Sequence, residues 1–116
     1  MFARLARLFR QRPANPVWLE PGELQDRLDR GEVAMIIDVR GPDEFDGPLG
    51  HIAGALNIPL AGLPARAAEL ARAGCPIVLV CLTDKRSSQA AAELAGAGIR
   101  DVAVLRGGMR GWRTGS

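Results

Sequence analysis

The chain contains few of the residues that build metal sites and disulfide frameworks. Its 116 residues include one His and two Cys, and Cys75 and Cys81 do not form a Cys-x-x-Cys pair. Two cysteines are too few for a disulfide scaffold, which favours a reducing compartment such as the cytoplasm. One His and this cysteine spacing do not match a metal site either. We therefore expect no metal and no organic cofactor.

Aromatic residues are scarce, and long apolar runs and a strong net charge are missing. The sequence has no Tyr and only 4% aromatic residues, so its core must consist of aliphatic side chains. No segment approaches the ~20 consecutive apolar residues that span a bilayer. The net charge of +2 arises from four arginines in residues 1–16, because the other 100 residues carry 11 basic and 13 acidic groups. This body of the chain gives no basis for expecting a nucleic-acid partner.

The basic N-terminal segment, residues 1–16, differs from the rest of the chain. Its large apolar residues recur at helical spacing between the arginines, at Phe2, Leu5, Leu8 and Phe9. One interpretation is an amphipathic helix that contacts an anionic membrane surface or a partner peripherally through residues 1–12. The other is a frayed terminal helix. In both cases the folded domain is expected over residues 17–116.

From residue 17 onward, short apolar runs alternate with helix-like stretches. Strands are predicted at residues 17–19, 34–39, 55–58, 77–81 and 102–105. Helices are predicted after residue 20, within 41–50, at 63–73, at 86–97 and at the C-terminus. This alternation favours an α/β fold with a mainly parallel sheet.

The predicted sheet places three polar residues together. Asp38 and Arg40 follow the second strand, and Cys81 ends the fourth. In parallel sheets, ligands bind outside the carboxyl ends of the strands. We therefore expect the loops after these two strands to face one crevice.

Cys81 occupies the setting of an anion site. It is followed by four residues, Arg86 and a predicted helix with Ser87 near its start. Backbone N–H groups and the positive end of the helix dipole would converge there. The dipole contributes roughly 0.3–1 kcal/mol and each hydrogen bond to a charged acceptor roughly 1.5–3 kcal/mol, which favours a thiolate at neutral pH. The alternative is a buried structural cysteine. Cys75 has no such setting, and we expect it to be structural.

Four motifs occur in an order and spacing that resemble the rhodanese family over about residues 17–113. They are DVR with a following EF (38–45), GHIAGALNIP (50–59), VCLTDKRS (80–87) and GGMRGW (107–112). The resemblance implies a five-stranded parallel sheet flanked by helices on both faces. It also implies a six-residue loop that starts at a catalytic cysteine, here Cys81–Arg86, which we name the Cys81 loop.

The resemblance further implies a sulfurtransferase. The Cys81 thiolate would take the sulfane sulfur of a small anionic donor such as thiosulfate and hold it as a persulfide. The acceptor would be cyanide, a small thiol or a protein thiol such as that of a thioredoxin-like protein. The residues implied to bind the persulfide through their N–H groups or to line the loop are Leu82, Thr83, Asp84, Lys85, Arg86 and Ser87.

Several charged residues have more than one interpretation. Arg86 either holds the loop shape or the leaving sulfite, or pairs with an acid such as Asp38 or Glu44. Asp38 is expected to orient neighbouring loops. Arg40 either shapes the pocket entrance or pairs with Glu44. His51, the single histidine, is expected to make structural hydrogen bonds.

The Cys81 loop departs from the family pattern at Asp84, where the family usually has Gly. Gly serves where φ is positive, and Asp tolerates that conformation better than most residues. A carboxylate there disfavours a dianionic donor, so we expect weak turnover of thiosulfate. A non-catalytic rhodanese-like binding module is one alternative function. A cysteine phosphatase or arsenate reductase is another, but related folds of that kind place five residues between Cys and Arg, not four.

Overall fold

The computed structural model describes residues 16–115 of the chain. The helix predicted within the basic N-terminal segment therefore lies outside the described residues. The strands are β1 Val17–Leu19, β2 Met35–Asp38, β3 Leu56–Asn57, β4 Ile77–Val80 and β5 Val102–Leu105. The helices are α1 Pro21–Asp29, α2 Pro42–Phe45, α3 Leu63–Ala73, α4 Lys85–Gly96 and α5 Gly108–Gly115, with a 3₁₀ turn at Leu60–Gly62.

The five strands form one parallel sheet in the order β1-β5-β4-β2-β3. The strands β2 and β4 are adjacent, and Asp38 is paired with Val80 in their register. The backbone pairing continues beyond the strands, because the Val39 N–H donates to the Val80 carbonyl at 2.8 Å. The segments that follow β2 and β4 therefore emerge side by side, as predicted.

Helices cover both faces of the sheet, which confirms the predicted α/β architecture. One core lies between the sheet and α3 and α4 and includes Leu70, Leu79 and Leu94. The other lies on the opposite face, beneath α1 and α5, and includes Leu24 and Met109. The middle strands β2, β4 and β5 are apolar apart from Asp38 at the end of β2, as expected for strands that are buried on both faces. None of the helices among residues 16–115 is long and apolar enough to cross a membrane.

All four residues of the central strand β4 are buried, and two leucine substitutions test the core that this strand helps to form. Leu79 is fully buried at 0% exposure, whereas Leu56 in the edge strand β3 is 48% exposed. We expect Leu79→Ala to lower the free energy of unfolding by roughly 2–5 kcal/mol because it leaves a cavity. Leu56→Ala serves as the control, with a change within about 1 kcal/mol. Urea unfolding measures both, and equal effects would contradict the assigned core.

Candidate active site

The Cys81 side chain lies at the junction of β4 and α4, buried at 1% exposure. The backbone N–H of Ser87 donates to the Cys81 Sγ at 3.3 Å, and the Ser87 hydroxyl lies at the same 3.3 Å from this sulfur. Ser87 is the third residue of α4, so its N–H is one of the amides that a helix N-terminus leaves without an intrahelical acceptor. The sulfur thus caps the start of the helix.

The amides of the Cys81 loop are also available for a ligand. Within residues 16–115, the backbone N–H groups of residues 82–86 donate to no protein acceptor. Together with the Ser87 N–H, which does contact the Cys81 sulfur, they form a run of six consecutive amides that begins directly after Cys81. Such a run at the positive end of a helix dipole binds anions. This arrangement agrees with the anion site that the sequence predicts, which stays a prediction.

The first residues of α5 form hydrogen bonds with this loop and orient it. The Met109 N–H donates to the Cys81 carbonyl at 2.8 Å, and the Arg110 N–H donates to the Leu82 carbonyl at 3.0 Å. In a trans peptide, the N–H points away from the carbonyl of the same plane. Since the carbonyls of Cys81 and Leu82 point toward α5, the N–H groups of Leu82 and Thr83 point away from it. The α5 segment thereby sets the direction of two loop amides.

Arg86 lies in the first turn of α4 and is paired with Glu44 from α2. Its two terminal nitrogens donate to the two carboxylate oxygens at 2.8 and 2.9 Å, and both side chains are 37% exposed. The hydrogen bond from Arg86 lowers the pKa of Glu44 to about 2, against the opposing effect of burial. Of the two interpretations of Arg86, the structure shows the pairing with Glu44, which ties the Cys81 loop to α2.

Arg40 forms a separate ion pair with Asp38, so its predicted pairing with Glu44 is wrong. Both members are 1% exposed, and the Arg40 Nη2 lies 2.8 Å from the Asp38 Oδ2. The guanidinium reaches Glu44 only through its backbone carbonyl, at 3.0 Å, and also donates to the Gly50 carbonyl at 2.7 Å. Its burial also means that Arg40 does not shape a pocket entrance. The pair instead joins the ends of β2, α2 and the loop before β3, consistent with the orienting role expected for Asp38.

His51 has the structural role expected from the sequence. Its Nδ1 lies 2.9 Å from the Phe45 carbonyl, and its ring stacks on the Phe45 ring at 3.6 Å between centroids. These contacts join the residue to the end of α2. Cys75, which precedes β4, is half-buried and lies at the opposite end of that strand from Cys81. Neither residue belongs to the Cys81 site.

Comparison with known proteins identifies the family of this chain. Residues 20–114 match the family model of the rhodanese-like domain. This chain belongs to the rhodanese-like domain family.

Three relatives illustrate the similarity. Protein YqhL of Bacillus subtilis is 44% identical over 79 residues, which are 68% of this chain and 60% of YqhL. Thiosulfate sulfurtransferase GlpE of Ectopseudomonas mendocina is 33% identical over 82% of this chain and 83% of GlpE. A crystal structure of thiosulfate sulfurtransferase from Pseudomonas aeruginosa superposes with a TM-score of 0.75 and 34% identity, and it covers 86% of this chain and 19% of that one. The chain thus spans less than two thirds of YqhL and of the Pseudomonas aeruginosa protein.

In this rhodanese-like domain, Asp84 does not adopt the left-handed conformation considered for the fourth loop position. Its φ is −149°, and every positive φ in residues 16–115 belongs to a glycine. The Asp84 carboxylate accepts the Gly107 N–H at 3.0 Å, so it adds a third bond between the Cys81 loop and the α5 segment. The replacement of Gly by Asp is therefore accommodated without a positive φ.

The remaining predicted loop residues lie as follows. Leu82, Thr83 and Asp84 are half-buried, and Lys85 is exposed at the start of α4. The predictions missed Gly108, which belongs to the GGMRGW motif but had no assigned role. A Cβ atom on Gly108 would lie 2.0 Å from the Thr83 carbonyl oxygen and 2.3 Å from the Cys81 carbonyl oxygen, and its φ is +55°. The sequence feature that could have indicated this close approach is the pair of glycines, Gly107 and Gly108, after the last strand.

Substitution of Gly108 tests the support that α5 gives to the Cys81 loop. In Gly108→Ala the new methyl group overlaps two loop carbonyls at a φ that disfavours side chains, so the loop or α5 must move. We expect the free energy of unfolding to fall by more than about 1 kcal/mol, together with a loss of the bonds that orient the loop. Thermal unfolding measures the first effect, and amide exchange of residues 109 and 110 measures the second.

Gly96→Ala is the matched control. Gly96 is the last residue of α4, and a Cβ there meets no atom within 4 Å. It should therefore change stability by less than Gly108→Ala and leave exchange at residues 109 and 110 as in the native chain. If the two variants behaved alike, the close approach of α5 to the loop would be refuted.

Proposed function

We propose that this rhodanese-like domain is a sulfurtransferase that carries sulfane sulfur as a persulfide on Cys81. The observation that carries the proposal is the position of the Cys81 Sγ, 3.3 Å from the Ser87 N–H at the start of α4. Both the thiolate and the terminal sulfur of an ionised persulfide are anions. The backbone amides of the loop can bind either anion while they keep their own protons. The same site can therefore hold the resting and the loaded state.

The first half-reaction is a displacement at sulfur. The Cys81 thiolate attacks the outer sulfur of thiosulfate, a new S–S bond forms, the S–S bond of the donor breaks, and sulfite leaves with the electron pair. Charge balances, since one thiolate and a dianion yield one ionised persulfide and a dianion. No proton transfer is required, which agrees with the structural role of His51. This is covalent catalysis by a cysteine whose negative charge is stabilised in advance.

The second half-reaction returns the cysteine to its resting state. A thiolate or cyanide acceptor attacks the outer sulfur of the persulfide, the S–S bond breaks, and the Cys81 thiolate leaves. The relatives named thiosulfate sulfurtransferase support a sulfane donor of this class. The acceptor that we propose is a small thiol or a protein thiol, such as one of a thioredoxin-like protein. Arg86 contributes by holding the loop against α2 through Glu44.

The proposal is tested by the mass of the intact protein after incubation with thiosulfate and removal of excess donor. We expect a gain of ~32 Da for one sulfur atom, which dithiothreitol reverses because a persulfide is a reversible cysteine modification. Cys81→Ser should abolish the gain. Cys75→Ser is the matched control and should retain it, because Cys75 lies away from the loop amides. An unchanged mass in the native protein would instead favour a non-catalytic binding module.

A further inference from the structure

The charged side chains around the Cys81 loop are arranged in two ion pairs of different kind. The Asp38–Arg40 pair is buried, with both side chains 1% exposed. The Glu44–Arg86 pair faces solvent, with both side chains 37% exposed. A buried pair cannot exchange partners without leaving a charge uncompensated, whereas a partly exposed pair can. Arg86 is therefore the arginine that an incoming anion can approach.

Glu44 competes with such an anion for Arg86. Its two oxygens bind both terminal nitrogens of the guanidinium, at 2.8 and 2.9 Å. These are the donors that recognise an oxyanion in the bidentate mode. The carboxylate is itself held in place, because its Oε1 also accepts the Gly41 N–H at 3.2 Å. A donor that reaches the Cys81 loop thus meets an arginine that is already neutralised and a carboxylate that stays beside it.

The charged side chains around the loop therefore provide little net attraction for an anion. Asp84 contributes a second carboxylate, which accepts the Gly107 N–H rather than pairing with a cation. Lys85 is exposed at the rim. Attraction of the donor must come mainly from the loop amides, which act over a short range. The carboxylates repel the donor, and this repulsion grows in proportion to the donor's negative charge.

We propose that Glu44 is a specificity-determining residue that makes the Cys81 site prefer singly charged sulfane donors to dianionic ones. This inference rests on the proposed sulfurtransferase function and adds the class of donor. Two donors with the same tetrahedral sulfur centre separate the effect of charge from that of shape. Thiosulfate carries two negative charges, and methanethiosulfonate carries one because a methyl group replaces an oxygen.

Both donors load the cysteine by balanced steps. The Cys81 thiolate takes the outer sulfur from thiosulfate with release of sulfite, or from methanethiosulfonate with release of methanesulfinate. In each case one S–S bond forms, one breaks and the leaving group departs with the electron pair. With cyanide as the acceptor, both reactions yield thiocyanate, so one assay serves both donors.

The test is the ratio of kcat/KM for thiosulfate to that for methanethiosulfonate in the native protein and in Glu44→Gln. Glutamine keeps an oxygen for the Gly41 N–H but removes the charge that neutralises Arg86. We expect this ratio to rise roughly threefold to tenfold, which is the effect of one charge at a distance of several ångström under intermediate screening. The rise should appear mainly in KM and should shrink at high ionic strength, because salt screens the charge of Glu44.

Glu32→Gln is the matched control. It removes the carboxylate of another Arg–Glu pair, Arg30–Glu32 at 3.2 Å, which is exposed and precedes β2 at its amino end. Its donor ratio should equal that of the native protein. A merely structural role of Glu44 would change both donors in parallel, so an unchanged or lower ratio in Glu44→Gln would overturn the inference. If neither donor adds sulfur to Cys81 in the native protein, the proposed function itself fails and the inference fails with it.

Discussion

The direction of the peptide planes in the Cys81 loop is the constraint on which the site depends. Two carbonyls of the loop accept N–H groups from the start of α5, at 2.8 and 3.0 Å. Because the peptides are trans, the amides that follow these carbonyls point away from α5. The start of α4 completes the arrangement by directing the Ser87 N–H to the Cys81 sulfur. In the function that we propose, these backbone dipoles stabilise a sulfur anion at no cost of reorganisation, because the fold has already oriented them.

The side-chain charges of the site have a structural function that complements these dipoles. Asp38 and Arg40 join the segments after β2 through a buried pair, and Glu44 and Arg86 join α2 to the Cys81 loop. Each guanidinium is matched by a carboxylate, so the arginines hold the loop in shape rather than present free positive charge. In the account that we propose, recognition of the donor depends on the short-range amides and on how much negative charge the donor carries.

The sequence was sufficient for the fold and for the position of Cys81. The continuous apolar run Ile77–Val80 predicts a strand buried on both faces, and the residues after it predict the start of a helix. The pairing of Arg40 was not predicted correctly. The Asp38 side chain folds back at the end of β2, where it accepts the Arg40 backbone N–H at 3.1 Å as well as its guanidinium. This local turn brings Asp38 closer to Arg40 than the Glu44 carboxylate, which is drawn to Arg86 instead.

The role of Gly108 could not be derived from the sequence for a different reason. It depends on the order of strands, because β5 lies next to β4 and the segment after β5 therefore emerges beside the Cys81 loop. Strand order in a parallel sheet is a tertiary property that local propensities do not encode. The sequence shows the GGMRGW motif, but it does not show that Gly108 lies against the carbonyl groups of the Cys81 loop.

The most direct test of this account is the ultraviolet thiolate absorbance of the folded protein at neutral pH, in a Cys75→Ser background with and without Cys81. The account predicts an excess absorbance that belongs to Cys81, is present at neutral pH and is lost when the protein is unfolded at the same pH, because unfolding disperses the loop amides. Identical spectra with and without Cys81 in the folded protein would show that the loop does not stabilise a sulfur anion and would contradict the central claim.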